Sequence, residues 1–473
     1  MVFSSYVFLF LFLPFLLLCY YLIPGRYRDA RNMVLLLFSL IFYGWSSPKY
    51  LLLLCVSIAI NWGGSAIIYR FRDSDRHVWR KIFLIITLFS NIAIFAYFKY
   101  TDFFISNINA FFGKNIPLLE IVLPVGISFY TFQGMSYVID AYRDPSLYLR
   151  NPLKVALYIT LFPQLVAGPI VRFSDVAAEI SDRKETVDEC AAGMRRFIWG
   201  LAKKLILADT FGIIADYTFA PRTLTTGMAW AGAIAYTLQI YLDFSGYSDM
   251  AIGLGKLFGF HFVENFNYPY IAKSITEFWR RWHISLSSWF RDYVYIPLGG
   301  NKCSASRQIL NMAVVWTLTG VWHGASWNFV LWGIYYLIWL ILEKYLFHNL
   351  INKTPAILRH IATLLIVIVG WVLFRANDLH HAITYLRYMF GINVTMTQMD
   401  YFWAQAINYA AFWVIGLIAV TPISKRIVAK LESRWNASTV YQCVRNTAAL
   451  LLLGLCILYI ISSSYNSFIY FQF

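Results

Sequence analysis

The side chains best suited to chemistry are two histidines. His323 lies between Trp322 and Gly324 and is the one ionisable group of LTGVWHGASWNFVLWG, Leu318–Gly333. An ionisable group in a long apolar stretch is costly, and it faces protein or a water-filled cavity. A neutral imidazole is the least costly such group and titrates near neutral pH, which suits it to proton transfer. A hydrogen-bonded, inert histidine fits the same spacing. His283 belongs to the preceding stretch, ENFNYPYIAKSITEFWRRWHISLSSWFRDYVYIPLGGN, Glu264–Asn301, which is crowded with Arg280, Arg281, Arg291, Trp279, Trp282 and Trp289. Asp243 and Asp249 are a third feature, in an otherwise apolar run that also holds Ser245, Tyr247 and Ser248. They could form an ion or proton site, or accept hydrogen bonds from neighbouring helices. The chain ends Phe468-Ile469-Tyr470-Phe471-Gln472-Phe473. A free tail is normally polar, so this one is expected to dock on something apolar. Folded into a cavity, Tyr470 would bring a hydroxyl with it, a nucleophile if a base is near.

The elements that position these groups are membrane elements. Of the 473 residues, 59% are hydrophobic and 13% charged, which excludes a soluble multidomain protein. Apolar runs near the roughly twenty residues needed to cross a bilayer recur along the chain. The expected fold is all-α, a single polytopic domain over residues 1–473, with roughly ten to thirteen transmembrane and re-entrant helices. The net charge of +15 does not point to nucleic acid. Lys and Arg concentrate between apolar runs, as the positive-inside rule predicts, and a share can meet anionic lipid or an anionic substrate. The six cysteines show no C-x-x-C pair and no metal-ligand spacing, so neither a disulfide framework nor a metal site is expected.

Met1–Ile23 reads as a first span rather than a removable leader. Arg26, Arg28 and Arg31 follow it, placing that connection in the cytoplasm. Two further runs, Met33–Trp45 and Tyr50–Tyr69, are divided at Ser46-Ser47-Pro48-Lys49. After Ile82–Phe98, the segment holding Asn107, Asn109, Lys114 and Asn115 is expected to be an external loop. Residues 151–173 carry Pro152, Pro163 and Pro169, which interrupt a helix. Broken backbone inside a membrane is tolerated only within protein or beside a cavity, so a re-entrant segment is expected there. Ser174–Lys204 is the least apolar stretch, and it closes with Arg195, Arg196, Lys203 and Lys204 among apolar residues, as in a helix at the cytoplasmic surface. No internal repeat is evident, which counts against repeat-built transporters.

Taken together, EFWRRWHISLSSWFRDYVYIPLGGN, VWHG, the MVFSSYVFLFLFLP opening and the FIYFQF ending resemble the membrane-bound O-acyltransferase (MBOAT) superfamily, in its bacterial branch that O-acetylates cell-envelope polysaccharides such as alginate or peptidoglycan. The likeness runs over essentially the whole chain. It implies a ring of tilted helices around a central funnel in the cytoplasmic (inner) membrane, with the aromatic tail, residues 462–473, docking into the funnel from outside. By this resemblance His323 matches the catalytic histidine and His283 the second signature position. Tyr470 matches the tyrosine thought to carry the acyl group.

The same likeness implies acetyl-coenzyme A (acetyl-CoA) as donor substrate and no permanently bound cofactor. It also implies a secreted or periplasmic SGNH-hydrolase-like partner that passes acetyl to the polysaccharide. Arg280, Arg281, Arg195 and Lys203, together with Arg196 and Lys204, are candidates to pair with the donor's phosphates, and for any single one of them ordinary positive-inside charge is the simpler reading. Two other readings remain open at this stage: a transporter or flippase of glycan or acyl donor using Asp243 and Asp249, and a family member acylating a lipid.

Overall fold

The computed structural model describes residues 1–72, 77–166, 168–220, 223–392, 403, 407–435, 438–462 and 465. Among them the regular structure is helical, with no strand. The chain forms two compact units, residues 1–197 with 250–263, and residues 198–249 with 264–473.

The first unit opens with α1 (Leu13–Leu22), α2 (Arg28–Ser46), α3 (Leu51–Arg70) and α4 (His77–Phe112). Ser47 and Pro48 divide α2 from α3, as the sequence suggests, because a proline cannot continue the hydrogen-bond ladder. The expected external loop at Asn107 begins later. α4 runs on to Phe112, so Asn107 and Asn109 are helical. Their amides bond locally, Asn107 to the Phe103 carbonyl and Asn109 to both backbone groups of Ile116. With 36 residues, α4 is about 54 Å long, well over a hydrocarbon core of about 30 Å.

Gly126, at φ +75°, turns the chain into α5 (Ile127–Arg143). A short, interrupted region follows: α6 (Pro152–Thr160), α7 (Phe162–Leu165) and α8 (Phe173–Ser181). The prolines at 152 and 163 stand at helix starts, where their missing N–H costs nothing.

Polar side chains join the apolar helices of this unit. Asn61 of α3 and Asn91 of α4 exchange amide hydrogen bonds at 3.0 and 3.1 Å, both fully buried. Gly134 of α5 makes the room, since a methyl group there would sit 2.4 Å from the Asn61 amide nitrogen. Small residues and buried amides are the usual means of joining helices in lipid. Near Arg28 the carboxylate of Glu185 is gripped by Arg28 and Arg31, and its pKa is held below the usual value against the opposing effect of burial.

The helix α9 (Val187–Ala202) leads through a π-helical turn, Lys203–Ala208, into α10 (Asp209–Phe219), and α11 (Thr226–Leu257) follows. In the first unit Gly193 of α9 meets Gly253 of α11; in the second, Gly200 of α9 meets Gly246 of α11. A methyl group on Gly193, Gly253 or Gly246 would lie 2.5–2.7 Å from the facing carbonyl.

The second unit continues with α12 (Ile275–Arg281), α13 (Ile284–Phe290), α14 (Ala305–His323), α15 (Trp327–Ile341), α16 (His348–Lys353), α17 (Ala356–Arg375) and α18 (Leu379–Met389). It closes with α19 (Ala410–Ala419), α20 (Ile423–Trp435) and α21 (Thr439–Ser462). Among the described residues five helices are long and apolar enough to cross a bilayer, those at Pro48–Arg70, His77–Phe112, Trp327–Leu346, Ala356–Arg375 and Thr439–Ser462; a sixth span forms if α19 and α20, bent by 64°, act together. The remaining apolar runs are shorter helices or, in α11, carry Asp243, Ser245, Ser248 and Asp249. Within the second unit lies an aromatic core in which Trp282, Trp332, Trp371 and Phe374 touch one another's rings or those of Phe278 and Tyr336.

Candidate active site

His323 is the last residue of α14. The helix ends there because Gly324 adopts an extended conformation, and a methyl group at 324 would collide with the Phe329 ring at 2.3 Å. The imidazole is 9% exposed and packs edge-on between Trp332 and Phe374, each ring centroid 5.1 Å away.

His283 stands between α12 and α13, seven-residue helices too short to span a membrane. Its backbone is left-handed, φ +45°, an unfavourable conformation for a residue with a side chain. A backbone bond from Ile284 N to the Asn265 carbonyl at 2.9 Å pins this turn.

The Asn265 side chain fixes the ring as well. Its Oδ1 meets His283 Nδ1 at 3.0 Å, accepts from Ser285 Oγ at 2.9 Å and from Ser285 N–H at 3.3 Å, while its Nδ2 donates to Ser248 Oγ at 3.1 Å. A backbone N–H cannot be turned round, so Asn265 must present oxygen at this point. His283 Nδ1 must therefore carry the proton, which leaves Nε2 as an acceptor. Nε2 is buried and has no hydrogen-bond partner among the described residues. Burial also pushes the imidazole pKa down to about 3, so the ring is neutral at any physiological pH.

The two histidines line one cavity of about 500 Å3, together with Trp279, Arg280, Trp316 and Thr319. A second cavity, of about 800 Å3, shares Arg280, Thr276, Tyr295 and Trp316 with the first. Lys273, Lys344 and Arg359 line this second space along with Glu277 and Glu343. Both carboxylates are engaged elsewhere. Glu343 accepts from the N–H groups of Ile275 and Thr276 at the start of α12, and Glu277 pairs with Arg281 at 2.8 Å. Lys273, Arg280, Lys344 and Arg359 outnumber the two carboxylates in the lining of this space.

The other sequence candidates fall elsewhere. Arg281 is bound to Glu277 and to the Asn267 carbonyl and does not line either cavity. Arg195 and Arg196 are half-buried on α9 in the first unit. Lys203 pairs with Asp249 at 2.5 Å. Lys204, expected at a surface, is 1% exposed and lies between Asp209 at 2.5 Å and Asp243 at 3.3 Å. The two adjacent lysines, at the start of the π turn, thus reach two carboxylates of α11. Asp243 and Asp249 are thus ion-paired within the fold, the hydrogen-bonding alternative in charged form. Tyr470 lies outside the described residues. Among the described residues no group of three metal-ligating side chains comes together. Asn265, which decides the His283 tautomer, was not singled out by sequence. It is one of two asparagines in ENFNYPY, and nothing in its spacing announces that it will face a ring eighteen residues later.

The sequence profile of the membrane-bound O-acyltransferase family matches residues 143–380, a stretch that contains Asn265, Arg280, His283 and His323. The chain belongs to this family. It is a multi-pass membrane acyltransferase. A relative named probable alginate O-acetylase in Azotobacter vinelandii is 40% identical, with both chains covered in full. A peptidoglycan O-acetyltransferase of Helicobacter pylori is 33% identical over all of this chain and 98% of its own. A teichoic acid D-alanyltransferase of Bacillus subtilis is 29% identical over 56% of this chain and 72% of its own. The family assignment agrees with the resemblance drawn from the motifs.

Proposed function

We propose that this acyltransferase takes acetyl from cytoplasmic acetyl-CoA and delivers it for O-acetylation of an extracytoplasmic polysaccharide, alginate or peptidoglycan, from the bacterial inner membrane. The observation that carries the reading is the shared cavity: two buried histidines on one side, and Arg280 leading into a cation-lined space on the other. Relatives named for alginate and peptidoglycan O-acetylation support the acetyl group and the acceptor class.

In this reading the donor's phosphates sit against Arg280, Lys273, Lys344 and Arg359, and its thioester reaches the histidines. His323 acts as general base. It takes the phenolic proton of Tyr470 as that oxygen forms a bond to the thioester carbonyl carbon. The tetrahedral intermediate then breaks its C–S bond, and the leaving thiolate takes the proton back from the imidazolium. The products are acetyl-tyrosine and free coenzyme A. His283, neutral and with Nε2 as acceptor, orients the donor by accepting an N–H. It cannot polarise the carbonyl, because it has no proton at Nε2 to offer. A periplasmic SGNH-hydrolase-like partner then removes the acetyl from Tyr470. Asp243 and Asp249 are ion-paired to Lys204 and Lys203, and relatives named as acyltransferases favour acyl transfer over transport.

Donor binding separates these roles. Arg280→Ala should raise KM for acetyl-CoA by about tenfold, the loss of one charge-assisted contact, and leave KM for acetyl-pantetheine, which has no phosphate, unchanged. His323→Ala should abolish turnover of both thioesters. Equal effects of Arg280→Ala on both donors would contradict the phosphate assignment.

A further inference from the structure

We infer that Tyr465 is the anchor of the C-terminal tail and a positioning residue for acyl transfer. The inference rests on the tyrosine relay proposed above. Tyr465 lies three residues beyond α21. Its phenol donates to Oδ2 of Asp216 on α10 at 2.6 Å, and Arg375, the last residue of α17, donates to Oδ1 of the same carboxylate at 2.6 Å. The phenol sits in a built site. Gly212 lies one turn before Asp216 on α10, and a methyl group there would be 2.6 Å from the Tyr465 oxygen and 2.8 Å from the Gln239 amide nitrogen. A side chain at 212 would therefore displace the phenol.

The anchor joins the wall of the active cavity. Arg375 directly follows Phe374, whose ring packs edge-on against the His323 imidazole at 5.1 Å. A continuous run of contacts thus leads from the tail through Asp216, Arg375 and Phe374 to His323. Tyr470 follows Tyr465 by five residues, a reach of at most about 18 Å. Without the anchor the tether would start at Ser462 and span eight residues. Effective concentration falls roughly as the −3/2 power of tether length, so the longer tether alone would cost about twofold. A larger loss must come from register, the holding of residue 470 in one orientation toward the base.

The test uses the purified full chain and acetyl-labelled acetyl-CoA, following label on Tyr470 by mass spectrometry, KM for the donor, and the melting temperature. Tyr465→Phe and Asp216→Asn should each slow labelling at saturating donor by tenfold or more, with KM unchanged. Two glycines inserted between Ser467 and Phe468 should slow it similarly with the anchor intact. Labelling at the wild-type rate in Tyr465→Phe would overturn the positioning role. So would a loss that appears only as lower melting temperature and weaker donor binding. If the unaltered chain takes no label at Tyr470, the relay fails and takes the positioning role with it. The anchor is then judged alone, by amide hydrogen exchange across residues 439–465: faster exchange in both variants supports it, and unchanged exchange overturns it.

Discussion

Replacing Asn265 by aspartate should add a titration of His283 to the pH dependence that the His323 base already confers. In the native protein His283 is neutral because burial holds its pKa near 3, and Asn265 Oδ1 keeps the proton on Nδ1. The substitution preserves the acceptor at 3.0 Å and Ser248 can reverse its hydroxyl, but a carboxylate now faces the ring. At a charge separation of about 4 Å and an effective dielectric of about 20, the attraction is on the order of 4 kcal/mol. That equals about three pK units, which would bring the imidazole to roughly pH 6. Below that value His283 is protonated, Nε2 becomes a donor, and it can no longer accept from the substrate. Turnover of acetyl-CoA by Asn265→Asp should therefore fall on the acid side near pH 6 and recover above it. Relative to the unaltered chain at the same pH, Asn265→Ala should show a loss of about 2- to 13-fold that is the same at every pH, the tautomer preference worth one hydrogen bond of about 0.5–1.5 kcal/mol. The assay is the release of free coenzyme A thiol between pH 5 and 9. An Asn265→Asp profile that superimposes on that of the unaltered chain would refute the assigned tautomer and with it the orienting role of His283.

Other consequences are more local. Lys204→Met leaves Asp209 and Asp243 buried without their cation and should destabilise by about 3–5 kcal/mol, seen as a lowered melting temperature in detergent; adding Asp243→Asn should restore part of the loss. Gly246→Ala puts a methyl group 2.7 Å from the Gly200 carbonyl and should cost about 1–3 kcal/mol, whereas Gly63→Ala, with nothing within 4 Å, should be neutral or slightly stabilising. His261 bonds Glu189 at 2.8 Å and Glu179 at 2.7 Å, and the Glu189 bond is the first cause of a pKa raised above its usual 6.5. Its contribution to stability is complete below pH 6.5 and is lost as pH rises through the raised value, so melting curves between pH 6 and 9 should flatten in His261→Gln.

Residue type was legible in the sequence, and juxtaposition was not. An imidazole at position 323 in an apolar run already implied a buried polar purpose, and the motifs around His283 and His323 were enough for the family. That the two rings share a cavity depends on α14 ending at Gly324 and on the left-handed backbone of His283. Neither the aromatic packing nor the Asn265 bonds that hold these turns leave a periodic trace. The lysines show the opposite difficulty. Lys203 and Lys204 look alike in a surface-type pattern, but the close packing of α9 and the π turn against α11 brings both to carboxylates of that helix. The boundary at Asn107 was misplaced for a related reason: asparagines punctuate helices in water, yet on α4 they bond to carbonyls one turn back or to the chain that follows.

The central claim is that acetyl passes from coenzyme A to Tyr470 with His323 as base. Purified protein is incubated with acetyl-labelled acetyl-CoA and no partner, then mapped by mass spectrometry beside His323→Ala. The account predicts label on Tyr470 that disappears in the histidine variant. Thioester turnover without label on Tyr470, or label that persists in His323→Ala, would contradict it.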